Sequence, residues 1–138
     1  MSKVPPKIRK IKNFISPVDL DVKILKEIEI ILKNNPKIKQ KIKNISGLDK
    51  KLYYAKVWEV TENQPLFILE HSDKRGWKNF HLDHIYPISK GFIEKISPEK
   101  IGDIKNLRFI PYKENLKKGG KITSESKKVL RKIKRGKK

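Results

Sequence analysis

The sequence predicts an α+β protein in which a strand, a long connection, a second strand and a helix form the centre, with helices on either side. Three observations predict it. Ile24, Leu25, Ile28, Ile31 and Leu32 recur at the spacing of one helix face. Residues 77–83 alternate in strand fashion and run into the octapeptide Phe80-His81-Leu82-Asp83-His84-Ile85-Tyr86-Pro87. A second short apolar run, Leu107-Arg108-Phe109-Ile110, is followed at once by Pro111 and a segment closed by Gly119-Gly120, the punctuation of a short helix.

In chain order, residues 1–15 are basic and interrupted by Pro5-Pro6, which predicts an extended arm ordered on nucleic acid or not at all. Ser16-Pro17-Val18-Asp19 is a helix start: Ser can cap free amides, Pro fits the first turn, and Asp suits the positive end of the dipole. Asn34-Asn35-Pro36 ends that helix and opens a short second one to about Lys43, and Asp49 caps a third that runs to about Thr61. Helices this short are marginal alone, so residues 16–63 are expected to form a helical cap on the downstream part of the chain. Residues 64–122 hold the strand–connection–strand–helix unit, and 123–138 a basic C-terminal helix and tail beginning at Ser124-Glu125-Ser126. Trp77, Asn79, His81 and Asp83 share one face of a regular strand. Residues 85–105, with Pro87, Gly91, Pro98 and Gly102, read as a loop of about twenty residues, longer than a small domain keeps without a purpose.

Composition narrows the function. The 138 residues carry 35 Lys and Arg against 15 Asp and Glu, a formal charge of +20. A domain so charged repels itself unless a polyanion neutralises it, and nucleic acid is the first such partner. The chain has no cysteine, which excludes disulfides and thiolate zinc sites. No stretch approaches the roughly 20 apolar residues that span a bilayer, and no apolar segment follows the N-terminus, so a protein of the cytoplasm with no membrane partner is expected.

Two of the three histidines lie in the octapeptide. Hydrolysis of a phosphodiester needs a base for water, charge neutralisation at phosphate, and stabilisation of the leaving oxygen. His84 suits the first task, since imidazole titrates near neutrality. Asp83 and Asn115 suit the others as hard oxygen ligands, a set that favours Mg²⁺ or Mn²⁺ over Zn²⁺ and is completed by water and phosphate. Alternation points His84 away from Asp83. His81, one strand repeat before Asp83, is a further candidate for the metal or a phosphate contact, or a packed strand residue.

The three blocks His-Leu-Asp-His-Ile-Tyr-Pro, Gly-Asp-Ile-Lys-Asn-Leu-Arg and Glu-Asn-Leu-Lys-Lys-Gly resemble, in order, the HNH endonucleases with their ββα-metal core, over about residues 76–121. The narrower likeness is to the small HNH nucleases of phages and mobile elements. The resemblance implies DNA cleavage, duplex or branched, with one metal ion per active site and a 5′-phosphate and 3′-hydroxyl product. It implies His84 as general base, Asp83 and Asn115 as metal ligands, and Asn106 as the asparagine that braces the loop and orients the histidine. Asn115 stands where many members have a third histidine, the HNN form. The cysteine pairs of zinc-bearing members are missing, so the helical cap or a homodimer interface is expected to stabilise the core. A single centre nicks one strand; a dimer cuts both.

Among the basic residues, Lys117, Lys118 and Lys121 follow the predicted metal helix and are expected at phosphates, and Arg108 near the site at the transition state or product. Arg131, Lys132 and Arg135 belong to a basic stripe expected to clamp the DNA backbone, with a solvated helix as the plainer reading. Arg75 and Lys90 are further candidates. Trp77 and Phe80 read as core rather than base-stacking platforms, His71 as a turn residue, and Tyr86 is undecided. The alternative to a nuclease is a non-catalytic basic nucleic-acid-binding protein that retains the core, and a structural basic protein with no ion site is a third reading.

Overall fold

The computed structural model describes residues 17–135; the arm at 1–15 and Ser16 lie outside them. The described chain is α+β. Helix α1 is Pro17–Asn34, α2 Ile38–Ile42, α3 Leu48–Glu62, strand β1 Phe80–His84, α4 Ile88–Ile93, α5 Pro98–Ile101, β2 Leu107–Pro111, α6 Tyr112–Lys118 and α7 Ser124–Arg135. No helix among the described residues is long and apolar enough to cross a membrane.

Helix α3 is the centre of the helical part. No residue of it from Lys50 to Glu62 is exposed, because α1, α2, α4 and α5 all pack on it. It starts at Gly47, whose φ of 89° sharply turns the chain into the helix; Asp49, the expected cap, hydrogen-bonds only its neighbour, the Lys50 amide, at 2.9 Å. Helix α1 lays Ile28 and Ile31 against it, and one-turn α2 buries both of its isoleucines, Ile38 and Ile42. Such a helix is stable only through that burial.

β1 and β2 form an antiparallel pair with Asp83 opposite Arg108 and His84 opposite Leu107. β1 begins at Phe80 rather than at Trp77, because the Asn79 amide bonds the Gly76 carbonyl and the Gly76 amide bonds the Phe80 carbonyl, which closes a turn over 77–79. Trp77, expected in the core, is 84% exposed on that turn. Phe80 is half-buried against the core. The core is a single cluster running from Ile28 and Ile31 through Val57 and Trp58 to Leu82, Leu107 and Phe109, so residues 17–62 share the sheet's core.

The expected loop at 85–105 is folded into α4, α5 and a 3-10 turn at Ile104–Asn106. Ile88, Ile96 and Ile101 fix it to the core, and the Tyr53 hydroxyl donates to the Ile96 carbonyl at 2.6 Å. Gly91 and Gly102, which suggest a loop in the sequence, mark close contact with α3 instead. A Cβ on Gly91 would come within 2.6 Å of the Tyr53 hydroxyl, and one on Gly102 within 2.8 Å of the Val57 carbonyl oxygen. Gly102→Ala must therefore push α5 off α3, at a cost of about 1–3 kcal/mol, seen as an earlier urea midpoint with an unchanged slope.

Candidate active site

The chain is buried without interruption from Leu82 to Ile88, which takes Asp83 and His84 into the interior at the end of β1. The two side chains go to different neighbours. The His84 ring lies edge-on to Trp58, with centroids 4.8 Å apart, and its Nε2 is 2.8 Å from the Thr61 hydroxyl of α3. That hydroxyl has one proton, and it donates it to the Val57 carbonyl, 2.7 Å away, which can only accept. His84 Nε2 is therefore the donor to Thr61, and the lone pair of the neutral ring is on Nδ1. The His84 side chain makes no other hydrogen bond among the described residues, where no buried side-chain nitrogen or oxygen lacks a partner. Nδ1 is thus not sealed off, and His84 lines a hollow of about 230 Å³ with Asp83, Asn115 and Lys118.

Burial pulls the His84 pKa down to about 3; Asp83 opposes the shift, and Lys118 and Lys41 add to it. The ring is neutral over the range in which an ordinary histidine charges.

The Asp83 carboxylate turns to cations. Its cross-strand partner Arg108 donates from Nε to Oδ2 at 2.9 Å, and Lys118 of α6 donates to Oδ1 at 2.9 Å and to Oδ2 at 3.2 Å. The same ammonium donates to the carbonyls of His84 at 2.8 Å and Ile85 at 3.2 Å. Arg108 also pairs with Glu125 of α7 at 2.7 Å. Lys118, expected at a phosphate, and Arg108, expected at the transition state or product, are thus bound to the site's own carboxylate.

A second relay sets Asn115. His81 Nε2 lies 2.6 Å from the Trp77 carbonyl, which must accept, so Nδ1 carries the lone pair and accepts from Asn115 Nδ2 at 3.1 Å. Both nitrogens of His81 are engaged. This leaves Oδ1 of Asn115 without a hydrogen-bond partner among the described residues. One carboxylate and one amide oxygen bordering the same hollow fit a hard divalent ion that keeps waters and takes phosphate oxygens. The cluster of oxygens around the Lys118 ammonium shows the same preference for positive charge. In such an arrangement Asp83 and Asn115 would hold the ion, and His81 would reach it only through Asn115. No group of three His, Cys, Asp or Glu side chains suited to a metal occurs among the described residues.

Asn106 is fully buried. Its oxygen accepts from the Tyr86 amide at 2.7 Å, and its amide donates to the carbonyls of Tyr86 at 3.1 Å and Ile101 at 2.8 Å. It ties the chain leaving β1 to the end of α5 and makes no bond to His84. Tyr86 is a core residue. His71 is a turn residue with φ 68°, stacked on Phe80 at 4.3 Å. Lys117 and Lys121 are exposed beside a hollow they share with Arg108 and Lys118. Arg131 and Lys132 are exposed on α7; the side chain of Arg135 lies outside the described residues. Arg75 is paired bidentately with Glu62, at 2.8 and 3.1 Å.

Sequence reasoning misses Thr61 and Trp58, the two residues that set the His84 ring. A hydroxyl on the buried end of an apolar helix is a signal of a polar contact, but nothing in the sequence names the partner 23 residues on.

The depressed His84 pKa makes stability depend on pH. Between 6.5 and about 3 the unfolded chain binds a proton at this residue and the folded chain does not. Stability is therefore full above 6.5 and falls on acidification through that window, by at most about 1.4 kcal/mol per pH unit. Denaturant unfolding in EDTA from pH 7.5 to 4.5 should show this slope, and His84→Gln should remove its share.

No protein-family model, no curated protein and no solved structure matches this chain.

Proposed function

We propose that the chain is a divalent-metal-dependent DNA endonuclease of the HNH type, in which β1, β2 and α6 correspond to a ββα-metal core. The observation that carries the reading is the convergence of Asp83, His84 and Asn115 on one hollow, with the His84 lone pair on Nδ1. The motif blocks and the +20 charge of the chain support it.

In this reading His84 Nδ1 takes the proton of a water placed against the scissile phosphate. Thr61 keeps Nε2–H bonded, so the ring cannot present the wrong nitrogen. Trp58 holds the ring edge-on. Burial keeps the base unprotonated and also weakens it; Asp83 opposes that shift, and an anionic phosphate in the hollow would oppose it further. Asp83 and Asn115 would hold a Mg²⁺ or Mn²⁺ ion, which would supply Lewis-acid neutralisation of charge at the phosphate. Lys117, Lys121, Arg131 and Lys132 are exposed for backbone phosphates, which supply affinity without sequence information.

One observation favours a second reading. Both oxygens of Asp83 already accept from Arg108 or Lys118, which suits a protein that binds nucleic acid and holds no metal. The two readings separate in a supercoiled-plasmid assay. The nuclease reading expects nicking with Mg²⁺ or Mn²⁺, none in EDTA, and none with His84→Ala. Linear product that keeps pace with the nicks indicates a dimer. Tight binding without cleavage under either ion selects the binding protein. Cleavage undiminished in His84→Ala would mean that the site is wrong.

Thr61 gives a finer check. Thr61→Val removes the acceptor for Nε2–H and should lower the cleavage rate by at least about tenfold. Thr61→Ser keeps the hydroxyl and should stay within about threefold of wild type.

A further inference from the structure

Trp77 is the most exposed of the chain's large apolar side chains among the described residues. It sits on the turn before β1, at the edge of a cavity of about 300 Å³ that it lines with Trp58, Phe80, Lys41, Arg75 and Asn115. This cavity is not the hollow that holds Asp83 and His84, but the two adjoin: Trp58, Leu82 and Asn115 border both. Nothing in the described fold uses the Trp77 ring. Its one ring neighbour among the described residues is His81, tilted and with centroids 6.4 Å apart.

The connection to the site is short. The Trp77 carbonyl accepts from His81, and His81 accepts from Asn115. One imidazole therefore separates the Trp77 backbone from a residue that, in the nuclease reading, would hold the ion at the phosphate. The rings of Trp58, Trp77, Phe80 and His81 line the cavity, Lys41 lies 4.7 Å over Trp58, and Arg75, paired with Glu62, lines it as well. Aromatic walls with cations at the edge match a nucleotide: a flat apolar base joined to an anionic phosphate. Bases inside a duplex already stack on each other and expose no face. Only an unpaired or extruded base can lie on an indole.

We propose that Trp77 and the cavity behind it bind the base of an unpaired nucleotide next to the scissile phosphate, so that the substrate is DNA with single-stranded or branched character rather than uninterrupted duplex. The proposal rests on the nuclease reading for the position of the phosphate. The cavity commits the site to a nucleotide rather than to an apolar protein partner, because Lys41 in its lining and the charge of the whole chain favour an anion, Arg75 being already paired with Glu62.

The test is binding in EDTA at fixed salt, read by anisotropy of a labelled DNA fork and of a labelled duplex of the same length. Wild type should prefer the fork. Trp77→Ala should weaken fork binding by about tenfold and duplex binding by less than about twofold, since phosphate contacts are shared by both DNAs. Trp77→Phe should keep most of the fork affinity. The side chain is exposed, so its removal leaves the core intact, and circular dichroism serves as the check. Equal losses on fork and duplex, or no loss on either, would overturn the proposal, as would equal wild-type affinity for the two DNAs. Because no ion is present, these outcomes do not depend on cleavage. A protein that cuts plasmid but fails here loses only the unpaired-base site, and one that passes here but never cuts keeps that site but loses the nuclease reading and, with it, the placement beside a scissile phosphate.

Discussion

A buried carboxylate has to be paired, and Asp83 is the residue on which that requirement falls. Placing a lone charge in the interior costs several kcal/mol after relaxation, and Asp83 is only 5% exposed. The answer comes from three elements at once. β2 supplies Arg108 from the directly opposite position, which agrees with the strand register. α6 supplies Lys118, whose position requires the helix to return over the end of β1. α7 supplies Glu125, which holds the far side of the Arg108 guanidinium. Satisfying one carboxylate thus constrains the placement of most of the second half of the chain. A one-residue slip of β2 would leave the charge facing a Leu107 or Phe109 position.

The uncharged neighbour imposes a different constraint. His84 is buried as a neutral ring, and its single N–H goes to Thr61 on α3, an element from the first half of the chain. The helical half therefore completes the site as well as covering it. Asn106 does the corresponding work for the backbone: three hydrogen bonds from one amide fix the turn after β1 against α5. Side chains satisfy here what regular ladders satisfy elsewhere, which is why a short, irregular stretch can be fully buried.

The legible parts of the sequence are those with local causes. α6 and β2 are marked by Pro111, Gly119 and a β-rich tetrapeptide, and the two short helices at 38–42 and 48–62 by their spacing of apolar residues. Asp83, His84 and Asn115 stand out because polar residues of that kind are scarce in an apolar strand and a short helix. What the sequence hides is tertiary in origin. Gly91 and Gly102 read as loop residues because a glycine that allows close approach looks the same in sequence as one that allows a turn. Trp77 reads as core because strand alternation continues, in the sequence, through a turn closed by Gly76 and Asn79. Lys118 reads as a surface cation, since nothing local shows that its ammonium is claimed by Asp83 and two carbonyls. Thr61 has no partner that the sequence could name.

The Ile85 carbonyl has a role beyond satisfying donors. It receives both the Lys118 ammonium of α6 and, at 2.6 Å, the Ser126 hydroxyl of α7; the neighbouring Glu125 holds Arg108. The C-terminal helix is thereby anchored mechanically, through short and stiff links, to the end of β1. It is not a detachable tail: a load on it would pass through Ser126 to the Ile85 carbonyl and through Glu125 and Arg108 to Asp83. Whatever grips that helix has a lever on the strand end.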